Sequence, residues 1–336
     1  MPPRGRRVTS AEVARHSGVS RATVSYVLNS TPNQSISAET RRRVLEAAEQ
    51  LGYTPSAPAR ALRSGRSDVV LLLIPEWPIG AVLARLVEEL TRALAGAGLT
   101  LVVHAHPRSA RPLGELWKAI TPAAVVNDQA LDEAEVRAAR RAGIPVVTPA
   151  FQVDGGIGGA GAFADFQRAI GRVQAEHLAA TGHRRLGFAL PEDDRLAAFT
   201  EPRLDGVRQA CAALGLPAPV PRVVALDAGS AVSAVGYWRG TRRRITAVCA
   251  YNDEVALAVL AGLRARRLAA PGDLAVVGVD DIPAGALSTP TLTTVAIDMS
   301  TLGRHLAVAV VHTLEGKPFP PAPGSELARL VRRDSA

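Results

Sequence analysis

Over the first fifty residues, apolar side chains recur at helical spacing. Val13 and Ala14 form the apolar side of a first short helix. Thr9 and Glu12 supply a T-x-x-E capping box at its start, and Gly18 ends it as a residue that tolerates a left-handed backbone. Ser20 caps a second helix, on which Val24, Val27 and Leu28 fall at i, i+3 and i+4. Ala14 is small enough to let the two helices approach. The pattern predicts a helix-turn-helix; on spacing alone a plain helical hairpin stays open. Ser37 caps a third helix with Val44, Leu45, Ala48 and Leu51 on its core face, and Gly52 stops it.

A different pattern starts at Asp68. Short apolar runs alternate with amphipathic stretches. Val69–Ile74, Leu101–Val103, Ala123–Val126 and Ile144–Val147 read as buried parallel strands, with helices at Ala81–Ala95, Asp132–Ala142 and Phe166–Ala180. A second set has strands at Leu186–Leu190, Arg222–Leu226, Ile245–Ala250 and Leu274–Val279, with helices at Pro202–Leu214, Ala231–Trp238 and Glu254–Arg266. Thr294–Ile297, a helix over Ser300–Leu314 and Leu327–Val331 complete the chain. The expected fold class is α/β: a small all-α head plus a two-lobed, doubly wound parallel-sheet body. The expected domains are a head over 1–55, a hinge helix or linker over 56–67, and a body over 68–336. Within the body, lobe one takes about 68–181 and 298–316, and lobe two about 184–297 and 318–333. Pro, Ser and Gly mark the linker; its stretch Pro58–Arg63 suits one helical turn that needs a partner, either a nucleic acid or a symmetry mate, to persist.

Charge adds a function class. The chain carries +8, and residues 1–66 hold eleven arginines and no lysine against four glutamates, so nearly all the excess lies in the first fifth. That is the footprint of a nucleic-acid-binding head on a nearly neutral body. Arg21, Ala22, Thr23, Ser25 and Tyr26 lie off the apolar stripe of the second helix, where they can meet DNA. Arg41, Arg42 and Arg43 on the third helix suit either phosphate contact or a solvated face.

Other chemistry is thin. Cys211 and Cys249 have no metal or redox spacing, and Cys249 reads as a small buried residue. Gly156, Gly158 and Gly161 fit G-x-G-x-x-G by letters but sit in a glycine run rather than at a strand-to-helix turn, so a flexible loop is the better reading. His104 and His106 lack a third ligand, and neighbours such as Asp280 and Asp281 point to opposite faces of a strand. No metal, cofactor or catalytic residue is expected. With no run of about 20 apolar residues and no apolar leader, no membrane span is expected and the cytoplasm is the default compartment.

The head motif V-T-x-x-E-V-A-x-x-S-G-V-S-x-x-T-V-S-x-V-L-N occupies Val8–Asn29; Ser37–Pro55 and Ala59–Leu62 continue it. Further on stand Asn252-Asp253 before a helix, Val276 to Asp281 at a strand end, Pro290 to Val295, and Leu330 to Arg333. These residues resemble the LacI/GalR family of bacterial transcription regulators over essentially the full length, least from Glu76 to Ala164. The resemblance implies a homodimer on an approximately palindromic double-stranded DNA operator, most often as a repressor, with a body similar to periplasmic sugar-binding proteins and a small-molecule effector in its cleft. It places Arg21, Ala22 and Tyr26 on bases and Thr9, Ser20, Thr23, Ser25 and Asn29 on the DNA backbone. It makes Leu62, beside Arg60, a wedge for the minor groove; packing of Leu62 on its dimer mate stays the alternative.

For the effector, the resemblance implies Arg203, Asn252, Asp253, Asp280, Asp165 and Trp77, each of which also suits a cap, an ion pair or core. Where relatives place sugar-stacking aromatics, only Trp77 is a candidate; Ala228 fills a second such position, and Ala197 and Phe199 stand where polar groups would help. The pocket therefore reads as less suited to a hexose. Two rivals remain: an enzymatic or small-molecule-binding α/β protein with a non-specific DNA-binding head, and a DNA-coating protein with little sequence preference.

Overall fold

In the computed structural model, the chain is described over residues 8–28, 35–53, 67–78, 80–105, 116–117, 120–127, 131–149, 152–153, 156–157, 161–240, 244–321, 323 and 327–336. It divides into two units, Met1–Asp68 and Val69–Ala336. Asn29, Arg60, Leu62 and the expected turn at Pro58–Arg63 lie outside the described residues.

The first unit holds α1 (Ser10–Ser17), α2 (Arg21–Leu28) and α3 (Ala38–Gln50). The Thr9 N–H donates to Glu12 Oε2 at 2.8 Å, closing one half of the capping box. Gly18 takes the left-handed conformation at φ 65°, which turns the chain toward α2 at little cost. Ser20 Oγ then accepts from the Thr23 N–H at 3.0 Å, and Ser37 Oγ from the Thr40 N–H at 3.2 Å. Val13, Ala14, Val24, Val27, Val44, Ala47 and Ala48 form the core. Leu45, expected on that core face, is instead 49% exposed. The interior edge of α3 is drawn by Val44, Ala47 and Ala48, and Leu45 lies a helical step of about 100° round from Val44.

The second unit contains two main sheets. The first has strand order β2-β1-β3-β4, all parallel: β1 (Val69–Ile74), β2 (Thr100–Ala105), β3 (Ala124–Asn127) and β4 (Val146–Val147). Gln152–Val153 (β5) and Gly156–Ile157 (β6) pair as a small antiparallel ribbon. The second sheet has order β12-β11-β10-β9-β7-β8. It is built from β7 (Leu186–Leu190), β8 (Val220–Val223), β9 (Ala247–Ala250), β10 (Ala275–Val279), β11 (Thr293–Ile297) and β12 (Ala328–Val331). Only β12 runs antiparallel, at the edge, as mixed α/β sheets commonly allow. Helices α4 (Ala81–Gly96), α5 (Glu133–Arg141), α6 (Ala162–Ala180), α7 (Ala197–Ala213), α8 (Ala228–Gly240), α9 (Asp253–Ala265), α10 (Pro283–Leu287) and α11 (Met299–Glu315) connect the strands. The fold is thus α/β and doubly wound, with a small helical head.

Four expectations about the elements need correction, the first being helix α6, which starts at Ala162 rather than at Phe166. Strand β2 is an edge rather than a buried strand, and Val102 and Val103 are 36% and 39% exposed. An edge strand has a neighbour on one side only, which an apolar run cannot reveal. Helix α7 starts at Ala197 and carries Pro202 inside it, rather than starting at Pro202. Strand β8 spans Val220–Val223 rather than Arg222–Leu226.

Two close approaches set the geometry of the cleft. A Cβ on Gly206 would lie 2.0 Å from the Arg168 carbonyl oxygen, and one on Gly171 would lie 2.0 Å from that of Arg203, so α6 and α7 pack backbone to backbone. Helix α11 follows a strand of the second sheet yet packs on α4 of the first layer, with Gly303 against Glu89 and Leu90. The chain therefore crosses between the two sheets, and one apolar core takes Val70 and Leu72 together with Val279 and Val295.

Candidate functional site

In the head, burial separates the two faces of α2. Val24 and Val27 are buried, while Arg21, Ala22 and Tyr26 are exposed and Thr23 and Ser25 half-buried. The three exposed side chains present a cation, a methyl and a phenol from one rigid helix, a set suited to guanine N7/O6, a thymine methyl and a base edge or phosphate. Ser20 and Thr23 are tied to each other, with their hydroxyls 2.9 Å apart, at the helix N-terminus where an anion is favoured. The Thr9 hydroxyl donates to Glu12 at 2.9 Å. Of the three arginines on α3, Arg43 donates to the Ser17 carbonyl and braces α1, and Arg42 pairs with Glu46 at 3.4 Å.

In the body, the described residues enclose a cavity of about 180 Å³. It lies beyond the carboxyl ends of β1, β9, β10 and β11, because Trp77, Tyr251 with Asn252, Asp280 and Met299 each follow one of those strands closely. In open α/β sheets this is where a ligand site forms. Strand orders 2-1-3-4 and 8-7-9-10 both reverse there.

Arg203 is the organising cation. It is 3% exposed; its Nε donates to Gln167 Oε1 at 2.7 Å and its Nη1 to the Tyr251 carbonyl at 2.5 Å. Its guanidinium also lies 4.8 Å from the Tyr251 ring centroid. The close packing of α6 and α7 is what brings Gln167 within reach of Arg203. Asn252 lines the cavity and caps α9, its Oδ1 accepting from the Val255 N–H at 3.0 Å. Asp280 also lines the cavity. Burial pushes its carboxyl up to about 7, and Asp253 and Glu254 add to that while Arg203 and Arg85 oppose it. Asp280 and Asp281 take positive φ, 112° and 52°, an outlier backbone that non-glycine residues hold only when fixed by their surroundings. The fixing contacts are an Asp281 carboxylate held by Arg333 at 2.6 Å and the Asp281 carbonyl held by Arg85 of α4 at 3.3 Å.

Two expected effector residues fall elsewhere. Asp253 is fully buried and does not line the cavity. Its Oδ1 accepts from the Thr294 hydroxyl at 2.6 Å and its Oδ2 from the Ile282 N–H at 2.8 Å, so it pins β11 and the loop after β10 to α9. Burial raises it to about 6, against those two bonds. Asp165 pairs with Arg168 outside the cavity, with a side chain 52% exposed. Ala228 is not among the described lining residues either.

The cavity's other wall was largely missed by sequence reasoning. Trp77 stacks on Phe163 at 6.1 Å between centroids, and Phe199 meets both edge-on, at 4.6 Å from Trp77 and 5.1 Å from Phe163. Gln167, Tyr251 and Glu254 also line the cavity without having been singled out. The one available signal was a glutamine, Gln167, set among the apolar residues of α6.

Residues 9–56 match the family described as bacterial regulatory proteins, lacI family, and residues 175–336 match the periplasmic binding protein-like domain. The HTH-type transcriptional regulator GalR of Escherichia coli (strain K12) is 27% identical over 97% of this chain and 95% of its own length. The transcriptional regulator CelR–cellobiose complex superposes with a TM-score of 0.64 at 27% identity, covering 98% of this chain and 100% of that one. The lac repressor dimer bound to operator and the anti-inducer ONPF superposes at 0.79 with 22% identity, over 98% and 99% of the two chains, a likeness of fold.

Proposed function

We propose that the chain is a member of the lacI family of bacterial regulatory proteins, a repressor that binds a palindromic operator as a homodimer and is controlled by a small-molecule effector in the cavity of the body. The observation that carries this reading is the split of α2 into a buried face, Val24 and Val27, and an exposed face, Arg21, Ala22 and Tyr26. A helix of that kind reads bases, whereas a coating protein needs only phosphate contacts. Thr9, Ser20, Thr23, Ser25 and Asn29 would hold the DNA backbone and fix register. GalR, named as a transcriptional regulator, and CelR, solved with cellobiose, support the two halves of the reading.

Residues 56–67 then act as the hinge between head (1–55) and body (68–336), with Leu62 as the minor-groove wedge and Arg60 beside it. The effector shifts the population between two arrangements of the body's lobes, and the hinge passes that shift to the heads. Arg203, Asn252, Asp280 and Trp77 hold the ligand. No helix among the described residues is long and apolar enough to cross a membrane, and action on DNA in the cytoplasm fits the reading.

Selection of bound sequences from random duplex DNA, with the full chain at stated salt, tests this. The expected result is a palindrome with two half-sites and a flexible central step. Recovery of no motif, with affinity that depends on salt alone, would sink it.

A further inference from the structure

Building on the reading of the cavity as an effector site, we propose that its ligand is a single uncharged aromatic ring with hydroxyl groups along one edge, a phenol, rather than a sugar. The walls carry the inference. One wall is the aromatic group Trp77, Phe163 and Phe199, in mutual contact at 4.6 to 6.1 Å. Aliphatic side chains complete the lining: Val82, Leu83 and Leu86 from α4, Ile297 from the end of β11, and Met299 and Leu302 from the start of α11. Four polar groups of the lining, Gln167, Arg203, Tyr251 and Asn252, run on from one another. Gln167 is bonded to Arg203, Arg203 to the Tyr251 carbonyl, and Asn252 follows Tyr251 in the chain.

A sugar carries hydroxyls round its whole perimeter. Each one laid against Leu, Ile or Phe without a partner loses its water and gains no hydrogen bond in return. A phenol presents apolar faces to the aromatic wall and hydroxyls along one edge only, which matches a site polar on one side. Part of the patch is already engaged: the Asn252 Oδ1 by the Val255 N–H and the Gln167 Oε1 by Arg203 Nε. Hydroxyls donating to Asp280 and accepting from Arg203 use what the patch still offers. Charge points the same way: the lining carries one buried guanidinium, Arg203, and two acids, Asp280 and Glu254, so an anionic guest would meet more acid than base.

Size agrees. The cavity measures about 180 Å³. A dry cavity of roughly 150 Å³ lined by Leu, Ile and Phe takes up benzene, so one substituted ring fits and two sugar rings do not.

The experiment is isothermal titration of the full chain with phenol, catechol, glucose, galactose and cellobiose, with tryptophan fluorescence followed alongside. Catechol is expected to bind saturably and to change the fluorescence. Trp77→Phe should remove the fluorescence response and weaken binding, the remaining ring keeping the isotherm saturable, and Phe199→Ser should weaken binding about tenfold or more. Because Phe199→Ser can disturb packing, the fluorescence comparison with Trp77→Phe stands independently of it. Binding of a sugar but not of catechol would overturn the ligand class and leave the effector site standing. Catechol binding with the same fluorescence response in wild type and Trp77→Phe would place the ligand elsewhere and overturn the proposal. No binding by any of the five would overturn the proposed ligand class and leave the effector reading of the cavity standing.

Discussion

In the head, Arg21, Ala22 and Tyr26 stand exposed on one helix of eight residues, held by a core of small aliphatic side chains. In the body, Trp77, Phe163, Arg203, Asn252 and Asp280 come from five separate stretches of chain and are gathered below the surface. The head's surface depends on local structure: two caps, one left-handed glycine and a helical stripe set where the side chains point. The cavity depends on topology, since only the order of strands and the packing of α6 on α7 bring its residues together. A surface of the first kind is altered one side chain at a time. One of the second kind is altered by anything that shifts its frame.

Breaking the head's core should give the largest effect. Val24→Asp places a charge where the side chain is fully buried, at a cost on the order of 3 kcal/mol or more, which a three-helix unit of this size does not withstand. Operator binding in a gel-shift titration should vanish while the body's thermal transition stays within a degree or so; a body that melts with the head would contradict the division into two units. Next comes Arg21→Ala, expected to cost about 1–3 kcal/mol of operator affinity and to relax preference at one base pair per half-site. An equal loss on every sequence would instead make Arg21 a phosphate contact.

For the body, Gly206→Ala forces α6 and α7 apart, with an expected loss of about 1–3 kcal/mol in denaturant unfolding and weaker ligand binding through displaced Arg203. Head affinity for an isolated half-site should not change. The pH response sharpens the contrast further. Asp280 rises from 3.8 to about 7 on folding, so between those values the folded chain holds the proton more tightly than the unfolded one. Body stability should therefore fall as pH rises through that window, and Asp280→Asn should flatten the fall, leaving the smaller part that Asp253 contributes between 3.8 and about 6. A profile unchanged by the substitution would place Asp280 in contact with water. The smallest effect belongs to Thr9→Ala, which removes the hydroxyl bonded to Glu12 and should cost about 1 kcal/mol of head stability, read as a lower melting point.

The same contrast explains what could be read from the chain alone. The head's helices followed from Thr9, Gly18, Ser20 and Ser37, residues whose roles are decided within four positions. The parallel strands are equally plain as apolar runs, but the run at Leu101–Val103 predicts a buried strand because an apolar run carries no sign of being an edge. Asn252 and Asp253 show the limit at the cavity. Adjacent at the start of one helix, they differ in outcome: Asn252 lines the cavity and Asp253 turns inward to Thr294 and the Ile282 N–H. Nothing local distinguishes them; the position of β11 does. Phe163 and Phe199 join Trp77 only through the start of α6 and of α7, both earlier than the helical pattern suggested. Arg203 was legible as a motif residue, but its partner Gln167 depended on a backbone contact between two glycine-bearing helices.

The central claim is that the head reads sequence. It is tested most directly by titrating the full chain, at one fixed salt concentration, against the selected palindrome and against a scrambled duplex of the same composition. A preference of about a thousandfold or more for the palindrome, lost largely in Arg21→Ala, is the predicted result. Equal affinity for the two duplexes, falling together as salt rises, would contradict it.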